Sequence, residues 1–209
     1  PTLDLPVDLP PLPDDATAPW PGDGRIVHGA YLKAVHVLDG DTLLVETGKG
    51  EKKIRLKAVD APACNGKVKS MNRWSCDPND RQLSGDGEYF GVEAWQKLRD
   101  MVEGKRVRIA CQTDSGETCN QGPYDRSLAW LILDSKTDVS RELAATGHAW
   151  TFTSFASENV EVYCRAENRA RSRNLGMWEH PDKIRDAMNN DTKRWYSQRD
   201  SICRDALQN

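Results

Sequence analysis

Val37-Leu38-Asp39-Gly40-Asp41-Thr42, followed by Ile54-Arg55-Leu56-Lys57-Ala58-Val59-Asp60-Ala61-Pro62-Ala63, decides how this chain folds. Two short apolar runs each end on a carboxylate, Asp41 and Asp60, and Arg55 lies inside the second run. Tyr124-Asp125-Arg126 then precedes a third apolar run. Hard oxygen donors for a divalent cation, together with two separated guanidiniums, are what phosphodiester hydrolysis asks of a protein. Arginine suits the task because its fork matches two phosphate oxygens.

Outward from this stretch, residues 26–60 read as three strands at 26–38, 42–46 and 52–59. The last two are joined by the glycine-containing loop Thr47-Gly48-Lys49-Gly50-Glu51. Residues 61–87 are polar and aperiodic, a loop long enough to be functional or an insertion. Val92, Trp95, Leu98 and Val102 recur at helical spacing and predict a helix over 88–103 that Gly104 stops. Strands follow at 106–112 and 127–133, then helices at 139–145 and 157–174, the latter with Ser157 as N-cap. Strands first, one helix between strands and helices last suggest an α+β fold: a five-stranded Greek-key barrel of the OB type with about three packed helices.

Residues 1–24 hold seven of the eleven prolines and predict an extended arm, while 187–207 is a polar stretch able to form one more helix. The net charge of −3 gives no global pull toward nucleic acid, so any such binding needs a local patch. No apolar run is long enough to span a membrane. The start at Pro1 suits a processed or truncated chain. Six cysteines lack metal-type pairing. Cys64 with Cys76, and Cys111 with Cys119, bracket polar loops and fit local disulfides of an oxidising compartment; the other reading is free thiols. Spacing alone leaves the connectivity open, Cys164 and Cys203 included. These features expect an exported or organellar protein.

The motifs resemble those of the staphylococcal nuclease (thermonuclease) family, whose pattern is D-G-D-T, then R-L-x-x-[VI]-D-x-P-E, then Y-[GD]-R. The resemblance covers about 25–178, closing on Asn174-Leu175-Gly176-Met177-Trp178, with 1–24 and 179–209 as appendages. It implies the same barrel, and Ca²⁺ held by Asp41 and Asp60 with the Ala61 carbonyl. It places Arg55 and Arg126 on the scissile phosphate. It also places Phe152 and Phe155 near the bases, where the family uses tyrosines; the other reading of these rings is ordinary core packing. Asp39 would support the site from behind or simply make the turn. One position departs from the pattern: Ala63 stands where the family has its general-base glutamate. Asp77, Asp80, Asp86 and Glu88 lie near enough in sequence to be considered as substitutes, but read as charges that solvate the loop. Arg165, Arg169, Arg171 and Arg173 give the late helix a basic face, of the kind that is more often solvated than bound to nucleic acid. The four histidines receive no role.

Two functions follow. The first is an exported Ca²⁺-dependent hydrolase of DNA or RNA, weakened by loss of the general base. The second is a degenerate nuclease fold serving as a binding module or assembly subunit, with a protein partner docked on the N-terminal arm or the C-terminal extension.

Overall fold

A computed structural model describes residues 26–47, 50–64, 67–68, 73–74, 76, 87–112, 119, 121–122, 125–133, 137–152, 160–187 and 203–204. Five strands form the barrel: β1 Ile26–Asp39, β2 Thr42–Thr47, β3 Gly50–Leu56, β4 Arg106–Gln112 and β5 Arg126–Leu133. β1 is long enough to pair with β4 through its first half and with β2 through its second, and register shifts between Ala34 and His36 and between Val37 and Asp39 bend it. β2 runs antiparallel to β3, and β4 antiparallel to β5. β3 and β5 then close the ring in parallel through Ile54–Ser127 and Leu56–Ala129. The expected OB-type barrel is therefore present, with Val37, Leu43, Val45, Ile54, Leu56, Val107, Ile109, Ala129 and Leu131 in its core.

Among the described residues four helices accompany it: α1 Gly91–Val102, α2 Val139–Ala145, α3 Val160–Ser172 and α4 Pro181–Ala187, the last packed near Trp178. α1 buries Ala94, Trp95, Leu98 and Val102. It is tied to β1 at both polarities: the Trp95 indole donates to the Val37 carbonyl (3.0 Å), and the Val37 amide donates to the Glu103 carboxylate (3.0 Å). Asp138 caps α2 by accepting from the Ser140 and Arg141 amides, and its other oxygen accepts from the Tyr163 hydroxyl (2.7 Å), which joins α2 to α3.

Several expectations need correction. The third strand ends at Leu56, not at 59. Ala58 takes a left-handed backbone (φ 68°), and the chain restarts as Val59–Asp60, a two-residue strand paired with Trp150–Thr151. The first helix starts at Gly91, so Glu88 lies in the turn before it, and Val92, counted in the apolar stripe, is exposed while Ala94 is buried. The late helix is described over Val160–Ser172, and Ser157, its expected N-cap, lies outside the described residues. Of its arginines, Arg165 pairs with Glu161, and Arg171 pairs with Glu167 (2.9 Å) and lies over the Trp178 ring. The 1–24 arm, Phe155 and most of the 187–207 segment fall outside the described residues. All six cysteines are bonded, as Cys64–Cys76, Cys111–Cys119 and Cys164–Cys203; the last ties the C-terminal extension to α3.

Gly40 sits where three elements meet. A Cβ there would stand 2.7 Å from the Ala61 Cβ and 2.9 Å from the Ala94 Cβ. Gly40→Ala should therefore cost about 1–3 kcal/mol by overpacking, read from the urea midpoint at unchanged slope. His148 gives a second test. Burial, then the nearby Lys97 charge, lowers its imidazole to about 4. The unfolded chain thus binds this proton more readily, so the stability contribution is present above about pH 6.5 and lost as pH falls toward 4. His148→Gln should lose less stability than the wild type between pH 7 and pH 4.5. Parallel curves for the two proteins would refute that assignment.

Candidate active site

Arg55 is the centre of the cluster. It belongs to β3, is only 5% exposed, and pairs with Thr42 across the β2–β3 ladder. Its Nη1 donates to the Leu56 carbonyl (2.6 Å) and the Val59 carbonyl (2.7 Å). Its Nη2 lies 2.5 Å from Asp60 Oδ1 and 2.9 Å from Asp41 Oδ2. The left-handed turn at Ala58 makes this possible, because it folds Val59 and Asp60 back onto the arginine five residues earlier. The Phe152 amide donates to the Ala58 carbonyl (2.9 Å) and fixes that turn against the strand Trp150–Thr151.

Each carboxylate is held by further donors. Asp41 accepts from the Thr42 hydroxyl (2.8 Å) and the Ala61 amide (3.1 Å), while Asp60 accepts from the Trp150 indole (3.2 Å). Burial raises the Asp60 carboxyl to about 6; the Arg55 charge opposes the rise, and the Asp41 charge adds to it. Asp39 accepts from the Gly40 amide (2.8 Å) and the Cys64 amide (3.4 Å), and burial, then Asp41, raises it to about 7. Asp39 also approaches the Cys64 and Cys76 sulfurs, but these are bonded to each other and offer no thiolate to a metal.

The donor set fits a hard divalent cation. Carboxylate oxygens of Asp41 and Asp60 converge on one guanidinium, and a carboxylate has about four lone-pair sites, so both keep capacity beyond the bonds described. Burial, and after it the Asp41 charge, raises Asp60, and a cation beside the carboxylate would oppose both.

Arg126 opens β5. The parallel register sets Arg55 opposite Leu128, so Arg126, two residues earlier, shares the face of Arg55. Phe152 is half-buried, with its ring centroid 5.9 Å from the Arg55 guanidinium carbon. Of the residues singled out from sequence, the structure thus brings Asp41, Arg55, Asp60 and Phe152 together, with Arg126 on the same face.

One residue was assigned the wrong part. Glu88 does not solvate the loop: its carboxylate accepts from the Ala63 amide (2.8 Å) and its own amide donates to the Ala63 carbonyl (2.7 Å). Burial raises its carboxyl, and the Asp41 charge raises it further. The sequence signal was slight: Gly87 and Gly91 flank Glu88 closely, and a Cβ on either would strike the 63–64 backbone at 2.9 and 2.5 Å.

Known proteins similar to this chain carry nuclease names. An "Uncharacterized endonuclease" of Escherichia coli O157:H7 is 26% identical over 166 residues, 79% of this chain and 86% of its own length. Endonuclease YhcR of Bacillus subtilis (strain 168) is 27% identical over 71% of this chain, which corresponds to 11% of that larger protein. A "Micrococcal nuclease" of Shigella flexneri is 22% identical over 72% of this chain and 74% of its own. Residues 53–180, a stretch that takes in Arg55, Asp60, Arg126 and Phe152, match the family described as staphylococcal nuclease homologue. With the barrel closed around that stretch, the chain belongs to the staphylococcal nuclease family.

Proposed function

We propose that this protein is a Ca²⁺-dependent nuclease that hydrolyses phosphodiester bonds of DNA or RNA outside the reducing cytoplasm. The observation that carries this reading is the buried Asp41–Arg55–Asp60 cluster, in which one guanidinium is shared between two carboxylates. The three disulfides favour an oxidising compartment, and among the described residues no helix is long and apolar enough to cross a membrane.

In this reading Asp41 and Asp60 hold the cation, with the Ala61 carbonyl beside them. When bound, Ca²⁺ supplies positive charge to a phosphate oxygen and orients it. Arg55 and Arg126 bind the scissile phosphate and stabilise the charge that develops on it. Both Nη2 contacts of Arg55 go to Asp41 and Asp60. Its grip on phosphate therefore strengthens as those carboxylates release it, which is the response expected when their charge is met by another cation. Phe152, beside Arg55, offers a ring face to a base, and Phe155 is proposed to extend that surface. Stacking is tolerant of sequence, so little base preference is expected.

A second reading is favoured by one residue. Ala63 leaves position 63 without an ionisable side chain, which suits a nuclease fold kept for a protein partner. The two readings part in a single assay. Cleavage of single-stranded DNA and RNA should appear with millimolar Ca²⁺ and vanish with chelator. Asp41→Asn should lower kcat by about 100-fold or more, in line with loss of a preorganised charge worth roughly 2–4 kcal/mol. Arg126→Ala should lower kcat/KM on the same scale while the melting temperature stays within a few degrees. Absence of cleavage of either nucleic acid by the wild-type protein, with Ca²⁺ present, would favour the partner-binding reading.

A further inference from the structure

The groups assigned above hold a cation and a phosphate, but none of them accepts the proton of the attacking water. Arg55 is a donor, and the lone pairs that Asp41 and Asp60 keep beyond Arg55, Thr42, Ala61 and Trp150 go to the cation in that reading. Asp39 accepts from the Gly40 and Cys64 amides through one oxygen. Hydrolysis at neutral pH needs a positioned acceptor close to the phosphate.

Glu88 is a carboxylate fixed against residue 63 by the backbone. Its two hydrogen bonds with Ala63, amide to carboxylate and amide to carbonyl, clamp residue 88 onto residue 63. Residue 63 is three positions beyond Asp60 and two beyond the Ala61 amide that binds Asp41. The clamp is tight on both flanks, since a Cβ at Gly87 would meet the Cys64 carbonyl at 2.9 Å and one at Gly91 the Ala63 carbonyl at 2.5 Å. The Cys64–Cys76 disulfide also holds this segment. Only Oε2 is used by Ala63; Oε1 makes no hydrogen bond among the described residues. The Asp41 charge acts on Glu88 and the Glu88 charge acts on Asp60, so the three carboxylates share one field.

Resting on the phosphodiesterase reading above, we propose that Glu88 is the general base of the hydrolysis, brought from the turn before α1 to the position that a side chain at residue 63 would otherwise serve. The attacking water passes a proton to Glu88 Oε1 as its oxygen forms the bond to phosphorus. The bond from phosphorus to the leaving sugar oxygen breaks, its electron pair stays on that oxygen, and solvent protonates it. Glu88 then returns its proton to water.

The test compares wild type, Glu88→Gln, Asp41→Asn and the double variant Glu88→Gln/Ala63→Glu in Ca²⁺-dependent cleavage of a single-stranded DNA oligonucleotide. The glutamine keeps an oxygen for the Ala63 amide, so fold and KM should be retained while kcat falls about 100- to 10,000-fold. Glutamate at position 63 should restore at least tenfold of that loss. Full activity in Glu88→Gln, alongside a dead Asp41→Asn, would overturn the role of Glu88 and leave the nuclease reading standing. A Glu88→Gln protein that loses both kcat and melting temperature, with no recovery from Ala63→Glu, would make Glu88 a structural clamp and overturn the proposal. A wild type that cleaves neither DNA nor RNA would overturn the nuclease reading itself.

Discussion

The structure around the site depends on one buried guanidinium. Arg55 meets two carbonyls and two carboxylates, and it does so almost out of contact with water. A buried charge of this kind persists only if its donors are met, and removing one partner of such a set costs about 3–5 kcal/mol. The consequence runs through the chain. The carbonyls come from Leu56 and Val59, so the arginine defines the corner at Lys57–Ala58 that ends β3. The carboxylates come from opposite ends of the motif, so the same arginine fixes the β1–β2 turn against the segment after Asp60.

The remaining elements hold this corner in place. Trp150–Thr151 pairs with Val59–Asp60 and gives an indole hydrogen bond to Asp60. α3 supports that strand from behind, because the Thr151 amide donates to the buried Glu167 carboxylate (2.7 Å). Gly40 lets α1 approach the turn closely, and Glu88, leading into α1, reaches the far side of the same segment. A small barrel thus acts as a rigid frame for three carboxylates and a guanidinium, the preorganised charge on which electrostatic catalysis relies.

Much of this was legible in the sequence, and the reasons differ by residue. Asp41, Arg55 and Asp60 stood out because their motifs recur in order at compatible spacing, although an aspartate at a strand end is common by itself. The strands of the barrel followed from short apolar runs between turn signals, and the end of α1 from Gly104. The corner at Ala58 was not legible, since a left-handed alanine carries none of the glycine or asparagine signal that marks such turns. That hid the Val59–Asp60 strand and its two-residue partner. Glu88 could not be told from Asp77, Asp80 and Asp86, because its role comes from a backbone contact 25 residues away. The Cys164–Cys203 link spans 39 residues and has no local signature.

The central claim is that the fork of Arg55, and not its charge alone, builds a working site. Lysine at position 55 keeps the charge but cannot reach two carbonyls and two carboxylates from one ammonium. The most direct measurement is the single-turnover cleavage rate of Arg55→Lys at saturating Ca²⁺, on protein whose near-ultraviolet dichroism matches the wild type. The account predicts a fall of about 100-fold or more. A rate within threefold of the wild type would contradict it.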